Sequence, residues 1–322
     1  VPDTLVSIIT PAYDVAAYVG DAVSSARAQS HPHWEMLVVD DGSRDDSGGA
    51  AERAALDDPR VRVIRQPNGG VSKARMTGIA AAQGETLLFL DADDWLAPDA
   101  LARLVETLAA APAAVAAYGA WAAVAEAARP GAAPLRVKDG PYPSGDVLEH
   151  LLVQNLLANG GHLLARRDAF AATGGFLPGL RYGEDWECWI RLALRGPFAA
   201  VPGAAPLLYV RERTGSAYRR MASAAESFGP AMAAIWGNPD LAGRLGPRFA
   251  RLKARAEAEN AWVVGKELIR HGRPVEGLSR LRASVAAAPG PKRLALLAAA
   301  HLLPLIPPRL HGPFARYPGG QP

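Results

Sequence analysis

The chain has 322 residues and a mass of 33.8 kDa, and 49% of it is hydrophobic, enough for one large α/β domain plus an appendage. A formal charge of +3 and a pI near 9.1 are only mildly basic, and no long Lys/Arg run occurs, which argues against a nucleic-acid partner. The one cysteine, Cys188, excludes an internal disulfide and a cysteine-based zinc site, and it reads as a small residue on a buried helix face.

The segment Leu5–Thr10 is too short for the core of a secretory signal and lacks a basic lead-in. No uncharged apolar stretch reaches transmembrane length. The cytoplasm is therefore the expected compartment.

Residues 5–120 alternate regularly. Apolar strands read at Leu5–Thr10, Glu35–Asp40, Val61–Arg65, Thr86–Asp91 and Ala114–Trp121, with helical patterns near Val19–Ala28, Ser47–Leu56, Ser72–Ala82 and Pro98–Ala110. This alternation predicts a mostly parallel, doubly wound sheet with helices on both faces. Ligands of such sheets bind outside the carboxyl ends of the strands. The polar clusters Thr10–Asp14, Asp40–Ser43 and Asp91–Asp94 all fall at those ends.

From Pro130 to Gly145 the chain is irregular and rich in Pro and Gly, which reads as a connection. A second half follows, with a strand at His162–Arg166, a helix at Asp185–Leu194 and short strands near Phe198–Val201 and Leu207–Val210. Beyond about Ser223 the pattern is helical throughout. The expected organisation is thus a catalytic domain over 1–222, with halves at 1–125 and 140–222, and a helical region over 223–322. The apolar run Leu294–Ile306 follows Lys292 and Arg293. It suits a terminal helix packed on the protein, or a peripheral contact with a membrane surface.

The segment Thr86-Leu87-Leu88-Phe89-Leu90-Asp91-Ala92-Asp93-Asp94-Trp95 carries the most chemistry. An apolar run that long is a strand buried on both faces, and three carboxylates at its end are too costly to bury without partners. They suit a hard divalent cation, Mg²⁺ or Mn²⁺, that keeps open positions for substrate phosphates. A polar loop capping the helix near Pro98 accounts for the same residues. Asp40-Asp41-Gly42-Ser43 ends the second strand, where an acid can accept the imide N–H of uracil and Gly42 permits a tight turn. Asn68-Gly69-Gly70-Val71-Ser72-Lys73-Ala74-Arg75 is a glycine-rich turn feeding a helix, whose N–H groups and Arg75 suit phosphate.

Taken together, these motifs and Ser7-Ile8-Ile9-Thr10-Pro11-Ala12-Tyr13 resemble family 2 glycosyltransferases of the GT-A fold, over roughly residues 5–215. The resemblance implies an α/β nucleotide-diphospho-sugar transferase fold with a mostly parallel central sheet and, here, a C-terminal helical extension. It implies nucleotide contacts at Thr10, Pro11, Tyr13, Asp41, Arg75, Asp91 and Ala92, and metal ligands Asp91, Asp93 and Asp94, with Asp93 foremost. Gly183-Glu184-Asp185-Trp186-Glu187 looks like the family's Glu-Asp motif, which makes Asp185 the expected base and puts Glu184 and Trp186 near phosphate or acceptor. Helix capping is the plainer reading of the same acids. The implied reaction is inverting, metal-dependent transfer from a nucleoside-diphosphate sugar, most often a UDP-sugar, to an acceptor hydroxyl.

Three departures stand out. Asp14 replaces the usual Asn, Met76 replaces the Asn that follows the Arg, and Tyr209–Ser216 carries Arg211 and Arg213 where a His is frequent. Those arginines suit phosphate contact or a solvated surface. Nucleotidyl transfer is the competing enzyme class, but Thr10-Pro11-Ala12-Tyr13-Asp14 is not the Gly-rich, Arg-containing loop it needs. A non-catalytic sugar-nucleotide-binding protein would not need Asp91, Asp93, Asp94 and Asp185 together. No Gly-x-Gly-x-x-Gly follows the first strand, which argues against NAD. No motif names the acceptor.

Overall fold

The computed structural model describes residues 3–140, 142–213 and 228–302. The chain forms two compact units, Val1–Leu148 with Leu156–Thr214, and Glu149–Asn155 with Gly215–Pro322.

In the first unit, β1 (Val6–Ala12), β2 (Trp34–Asp40), β3 (Val61–Arg65) and β4 (Thr86–Phe89) alternate with α1 (Val19–Arg27), α2 (Ser47–Ala55), α3 (Val71–Ala81) and α4 (Ala100–Ala110). With β6 (Ala116–Tyr118), β9 (Leu163–Arg166) and β10 (Phe198–Ala200) they build a seven-stranded sheet of order β10-β6-β9-β4-β1-β2-β3. Only β9 runs antiparallel to its neighbours, β4 and β6. The other pairs are parallel, as the alternation predicts.

Strand β2 is buried along its whole length, which its apolar residues permit. Strand β3 is the sheet edge, and its exposed Arg62 and Arg65 discourage pairing with another chain. Helix α4 buries Leu101, Leu104, Val105 and Leu108, a stripe at helical spacing. Helix α3 sits close on β1 because Gly78 has no side chain; a Cβ there would lie 2.5 Å from Ile9 Cγ2.

A second sheet has the order β5-β11-β7-β8, from β5 (Trp95–Leu96), β11 (Leu208–Glu212), β7 (Trp121–Ala125) and β8 (Arg136–Lys138). Here the structure departs from the expected single strand at Ala114–Trp121. The chain leaves one sheet at Gly119 and enters the other as β7. Gly119 N donates to His162 O at 3.3 Å, while the His162 ring bonds Gly119 O at 2.6 Å. A Cβ at Gly119 would lie 3.0 Å from both Leu207 and Val201. Strand β8 lies inside the stretch read as an irregular connection, and its three residues are exposed, so no apolar pattern marked it.

Helices α6 (Arg167–Ala171) and α7 (Glu184–Ala193) complete the first unit, while α5 (Leu148–Val153) falls, apart from Leu148, in the second. Phe89 at the end of β4 packs on Phe176 at 5.0 Å, Phe170 at 5.1 Å and Trp189 of α7 at 5.8 Å between ring centroids. This aromatic cluster fixes α7 against the sheet.

The second unit is helical: α8 (Gly229–Trp236), α9 (Pro239–Leu245), α10 (Phe249–Arg270), α11 (Pro274–Ala287) and α12 (Pro291–Leu302). Helices α10 and α11 cross where Gly265 meets Gly277, since a Cβ at Gly265 would lie 2.9 Å from Gly277 O. Trp262, Ile269, Leu281 and Ala300 form the local core. Residues 303–306 of the predicted terminal run lie outside the described residues. Among the described residues, no helix is long and apolar enough to cross a membrane.

Candidate active site

The predicted polar clusters meet at one edge of the large sheet, beyond the carboxyl ends of β1, β2 and β4. Thr10 and Pro11 lie in β1, in register with Val38 and Val39. Thr10 is buried, and its Oγ1 has no hydrogen-bond partner among the described residues. Tyr13 follows the strand and is exposed, with the Arg44 guanidinium 5.8 Å from its ring centre. Asp14 takes φ +50°, a left-handed conformation that Asn and Asp tolerate better than other side chains. The replacement of Asn by Asp therefore keeps the turn.

Asp41 is buried and organises the glycine-rich turn. Its Oδ1 accepts from Gln66 Nε2 at 2.6 Å and Gly69 N at 2.9 Å; its Oδ2 accepts from Gly70 N at 2.7 Å and Gly69 N at 3.1 Å. Asn68 Nδ2 donates to the Asp41 carbonyl at 2.9 Å. Three donors meet this carboxylate, with the Gly69 N–H shared between its two oxygens. The only side-chain donor among them is Gln66, itself held by Thr77 Oγ1 at 2.6 Å.

The three acids after β4 diverge. Asp91 Oδ1 accepts from Arg75 Nη2 at 3.0 Å, and Asp93 Oδ2 accepts from Arg213 Nη1 at 2.7 Å. Their side chains keep 32% and 25% of their surface exposed. Asp94, expected with the metal ligands, is buried and spends both oxygens on protein donors: Arg211 N at 2.8 Å and Asn159 Nδ2 at 2.6 Å. Burial, reinforced by repulsion from Asp93 and Asp91, holds its carboxyl well above the usual range. Burial also raises Asp91, with Arg75 opposing and Asp93 adding to the shift. Ala92, between these acids, is buried.

Arg75 is more enclosed than a phosphate-facing arginine should be, with 4% of its side chain exposed. Its Nη1 meets Glu184 Oε1 at 2.9 Å, its Nη2 meets Asp91, and its guanidinium lies 5.0 Å from the Phe176 ring centre. Burial disfavours its charge, but Asp91, Glu184 and Asp185 outweigh that and raise its pKa. One cation thus ties the end of β4 to the start of α7. Glu184, expected near phosphate or acceptor, is a partner of Arg75 instead.

Asp185 stands in the first turn of α7, after Gly183 at φ +75°. Its Oδ1 accepts from Trp186 N at 2.6 Å. Burial first and Glu184 second push its pKa up to about 7, against the pull of Arg75. A helix N-terminus alone would have lowered it. Trp186 is buried beside it in the sequence.

Arg211 is enclosed and faces neither solvent nor an open phosphate site. Its Nε donates to Asp93 O at 2.9 Å, its Nη1 to Glu126 O at 2.8 Å and to Ala128 O, and its Nη2 to Asp21 Oδ2 at 2.7 Å. Its guanidinium lies 4.9 Å from the Trp95 ring centre and 5.0 Å from Tyr18. Arg213 lies over Tyr18 at 4.3 Å, and its bond to Asp93 keeps its pKa raised in spite of burial. Residues 214–216 of the predicted closing segment lie outside the described residues.

Among the described residues, no group of three His, Cys, Asp or Glu side chains is placed to hold a metal. Asp91 and Asp93 are the accessible oxygen donors. Mg²⁺ and Mn²⁺ commonly take one or two carboxylates and complete their shell with water and substrate phosphates, so this pair fits such an ion. Arg213 pairs with one oxygen of Asp93, Oδ2. Four residues important to this edge had no motif to announce them: Gln66, Asn159, Asp21 and Tyr18.

A family model described as Glycosyl transferase family 2 matches residues 7–167. The chain belongs to that family. It is 44% identical over 102 residues to the uncharacterized glycosyltransferase EpsJ of Bacillus subtilis (strain 168), covering 32% of this chain and 30% of that protein. It is 37% identical over 91 residues to the glycosyltransferase GlyG of Streptococcus pneumoniae serotype 4, covering 28% and 30%. These matches span about a third of this chain and 30% of each relative.

Among solved structures, S. aureus TarS 1–349 in complex with UDP-GlcNAc aligns at a TM-score of 0.59 and 17% identity, covering 93% of this chain and 92% of that one. The mannosyltransferase PcManGT from Pyrobaculum calidifontis, in complex with GDP-Man and Mn²⁺, aligns at 0.56 and 23% identity, covering 97% and 85%. The fold is the GT-A fold of these neighbours.

Proposed function

We propose that this protein is an inverting, metal-dependent glycosyltransferase that moves a sugar from a nucleoside-diphosphate donor, UDP-linked by preference, to an acceptor hydroxyl. The observation that carries this reading is that Arg75 joins Asp91, one of two partly exposed carboxylates, to Glu184, the neighbour of Asp185, whose pKa burial pushes up to about 7. One carboxylate set suits the donor; the other suits the acceptor. TarS holding UDP-GlcNAc and PcManGT holding GDP-Man and Mn²⁺ support the donor class and the metal.

In this mechanism Asp185, ionised, takes the proton of the acceptor hydroxyl as its oxygen attacks the anomeric carbon. The bond from that carbon to the diphosphate oxygen breaks on the opposite face, which inverts the centre. A metal on Asp91 and Asp93, when bound, supplies positive charge to the departing diphosphate. Asp41 would recognise uracil by exchanging the Gln66 amide for the imide N–H, keeping the backbone N–H groups of Gly69 and Gly70. Nucleotide sugars screened by thermal shift with Mn²⁺ test the proposal: a UDP-sugar should raise the melting temperature most. No shift with any nucleotide sugar would reject it.

We also propose a cytoplasmic protein whose C-terminal helices touch an anionic membrane surface. Residues 214–322 carry 16 Lys/Arg against 6 Asp/Glu, whereas residues 1–213 carry 19 against 26. Helix α12 has no acidic residue and leaves Leu294 exposed next to Lys292 and Arg293. Basic and apolar groups on one helix suit a lipid surface better than a soluble polyanion.

A further inference from the structure

Asp94 follows the two acids proposed as metal ligands, and both of its oxygens are met by protein donors. Its oxygens are held from two directions, by the backbone of β11 at Arg211 and by the amide of Asn159. Asn159 is 65 residues away in the chain and is itself buried. Its Oδ1 accepts from Gly161 N at 2.8 Å. A backbone N–H can only donate, so this bond fixes which end of the amide faces Gly161 and turns Nδ2 toward Asp94.

The loop that carries Asn159 has little freedom. A Cβ at Gly160 would lie 2.6 Å from Phe89 Cβ and 2.9 Å from Phe89 O, and one at Gly161 would lie 2.7 Å from Leu208 Cδ1. The loop is therefore pressed against the end of β4, directly before the acidic turn. Just after it, His162 is buried between two backbone partners, Gly119 O at 2.6 Å and Ala158 N at 3.0 Å. Desolvation lowers its pKa to about 4, so it stays neutral, donating from one ring nitrogen and accepting at the other. The loop is rigid on both sides of the amide.

The turn itself is closed by Asp94 N donating to Asp91 O at 3.1 Å, so a rotation of Asp94 would carry Asp91 and Asp93 with it. Without the Asn159 amide, Asp94 would be a buried carboxylate with a single N–H donor, beside two other acids. Such a group leaves its position readily.

We propose that Asn159 is a positioning residue for metal-supported donor binding: by holding Asp94 it sets the directions in which the Asp91 and Asp93 carboxylates leave the strand end. The inference rests on the donor-binding reading given above, but names a residue that touches neither donor nor metal. It also removes Asp94 from the ligand set and makes it the hinge pin of the turn.

The test is calorimetric titration of the full chain with UDP, with and without Mn²⁺. In the parent, Mn²⁺ should tighten UDP binding. In Asn159→Ala, metal-free UDP affinity should stay within about twofold of the parent, because Asp41 and its turn are untouched. The gain from Mn²⁺ should fall at least about tenfold, on the order of one buried hydrogen bond left unmade. A gain equal to the parent's would overturn the proposal. The reversed pair, Asp94→Asn with Asn159→Asp, keeps an acceptor for Gly161 N and one for Arg211 N and restores a single bond between the two side chains with donor and acceptor exchanged. It should recover most of the Mn²⁺ gain that each single substitution loses. A double variant no better than Asp94→Asn alone would mean that Asp94 is itself a ligand, and would overturn the proposal. A parent that binds no UDP in either condition would instead remove the donor reading on which it stands.

Discussion

Arg75 and Glu184 form a buried ion pair, Nη1 to Oε1 at 2.9 Å, that fastens α3 to α7 across the candidate site. The same guanidinium holds Asp91. Replacing Arg75 by Met would leave two carboxylates facing each other with no cation in a desolvated space. Breaking a buried pair from one side costs about 3–5 kcal/mol. The Arg75→Met variant should therefore lose about that much in urea unfolding, with an unchanged denaturant slope. Parent stability in that variant would mean that the network carries no weight.

Asp185 gives a pH signature with two opposite parts. As the base it must be ionised, so kcat/KM should fall about tenfold per pH unit as pH drops below about 7. Asp185→Asn should remove that limb and depress turnover by roughly a hundredfold or more, with UDP affinity nearly unchanged. Stability should move the other way. The folded protein raises this pKa, so it holds the proton more tightly than the unfolded chain does. The cost of ionising Asp185 is absent below about pH 4, grows between about pH 4 and 7, and is complete above about pH 7, on the order of 1–4 kcal/mol. Asp185→Asn should therefore melt higher than the parent at pH 8 and about equally at pH 4. Equal melting at both pH values would return Asp185 to a helix-capping role.

The strand ends were readable because buried parallel strands are continuous apolar runs, and the change to Asp or Thr marks where each one stops. The expectations at Asp41, Asp91, Asp93 and Asp185 rest on that change or on the resemblance. What those side chains touch was not readable. Arg211 reads in sequence as a phosphate contact or a solvated surface charge, but its donors are met by carbonyls of Glu126 and Ala128 and by Asp21, none of which any pattern links to it. Asn159 is a lone amide whose meaning comes only from contact with Asp94. The sheet change at Gly119 was hidden for a related reason: apolar residues continue through it, and only the His162 contacts and the crowding at Leu207 reveal the break.

Nucleotide choice should depend on Gln66 as well as Asp41. If the uracil imide takes the place of the Gln66 amide, Gln66→Leu should leave Asp41 one acceptor short in the free protein. UDP should then bind more tightly relative to CDP, by on the order of tenfold, the worth of one charge-assisted hydrogen bond. Competition binding with UDP, CDP and ADP reads this directly. An unchanged ranking in Gln66→Leu would place the base elsewhere.

The C-terminal helices should sediment with vesicles rich in anionic phospholipid and leave neutral ones in solution. High salt should release them, since each Lys or Arg near such a surface contributes only ~1 kcal/mol. Leu294→Asn and Lys292→Glu should each weaken the partition. Equal binding to neutral vesicles, or none to anionic ones, would remove the membrane contact.

The metal is the centre of the account, and Asp93→Asn tests it most directly. The measurement is UDP affinity by calorimetry across a Mn²⁺ titration, parent against variant. Asp93 sits at a partly exposed strand end and, among the described residues, its side chain pairs with Arg213, so the substitution should leave the fold intact. Mn²⁺ should strengthen UDP binding in the parent and no longer do so in Asp93→Asn, while metal-free UDP affinity is the same in both. An Asp93→Asn protein whose UDP affinity still rises with Mn²⁺ as the parent's does would contradict it.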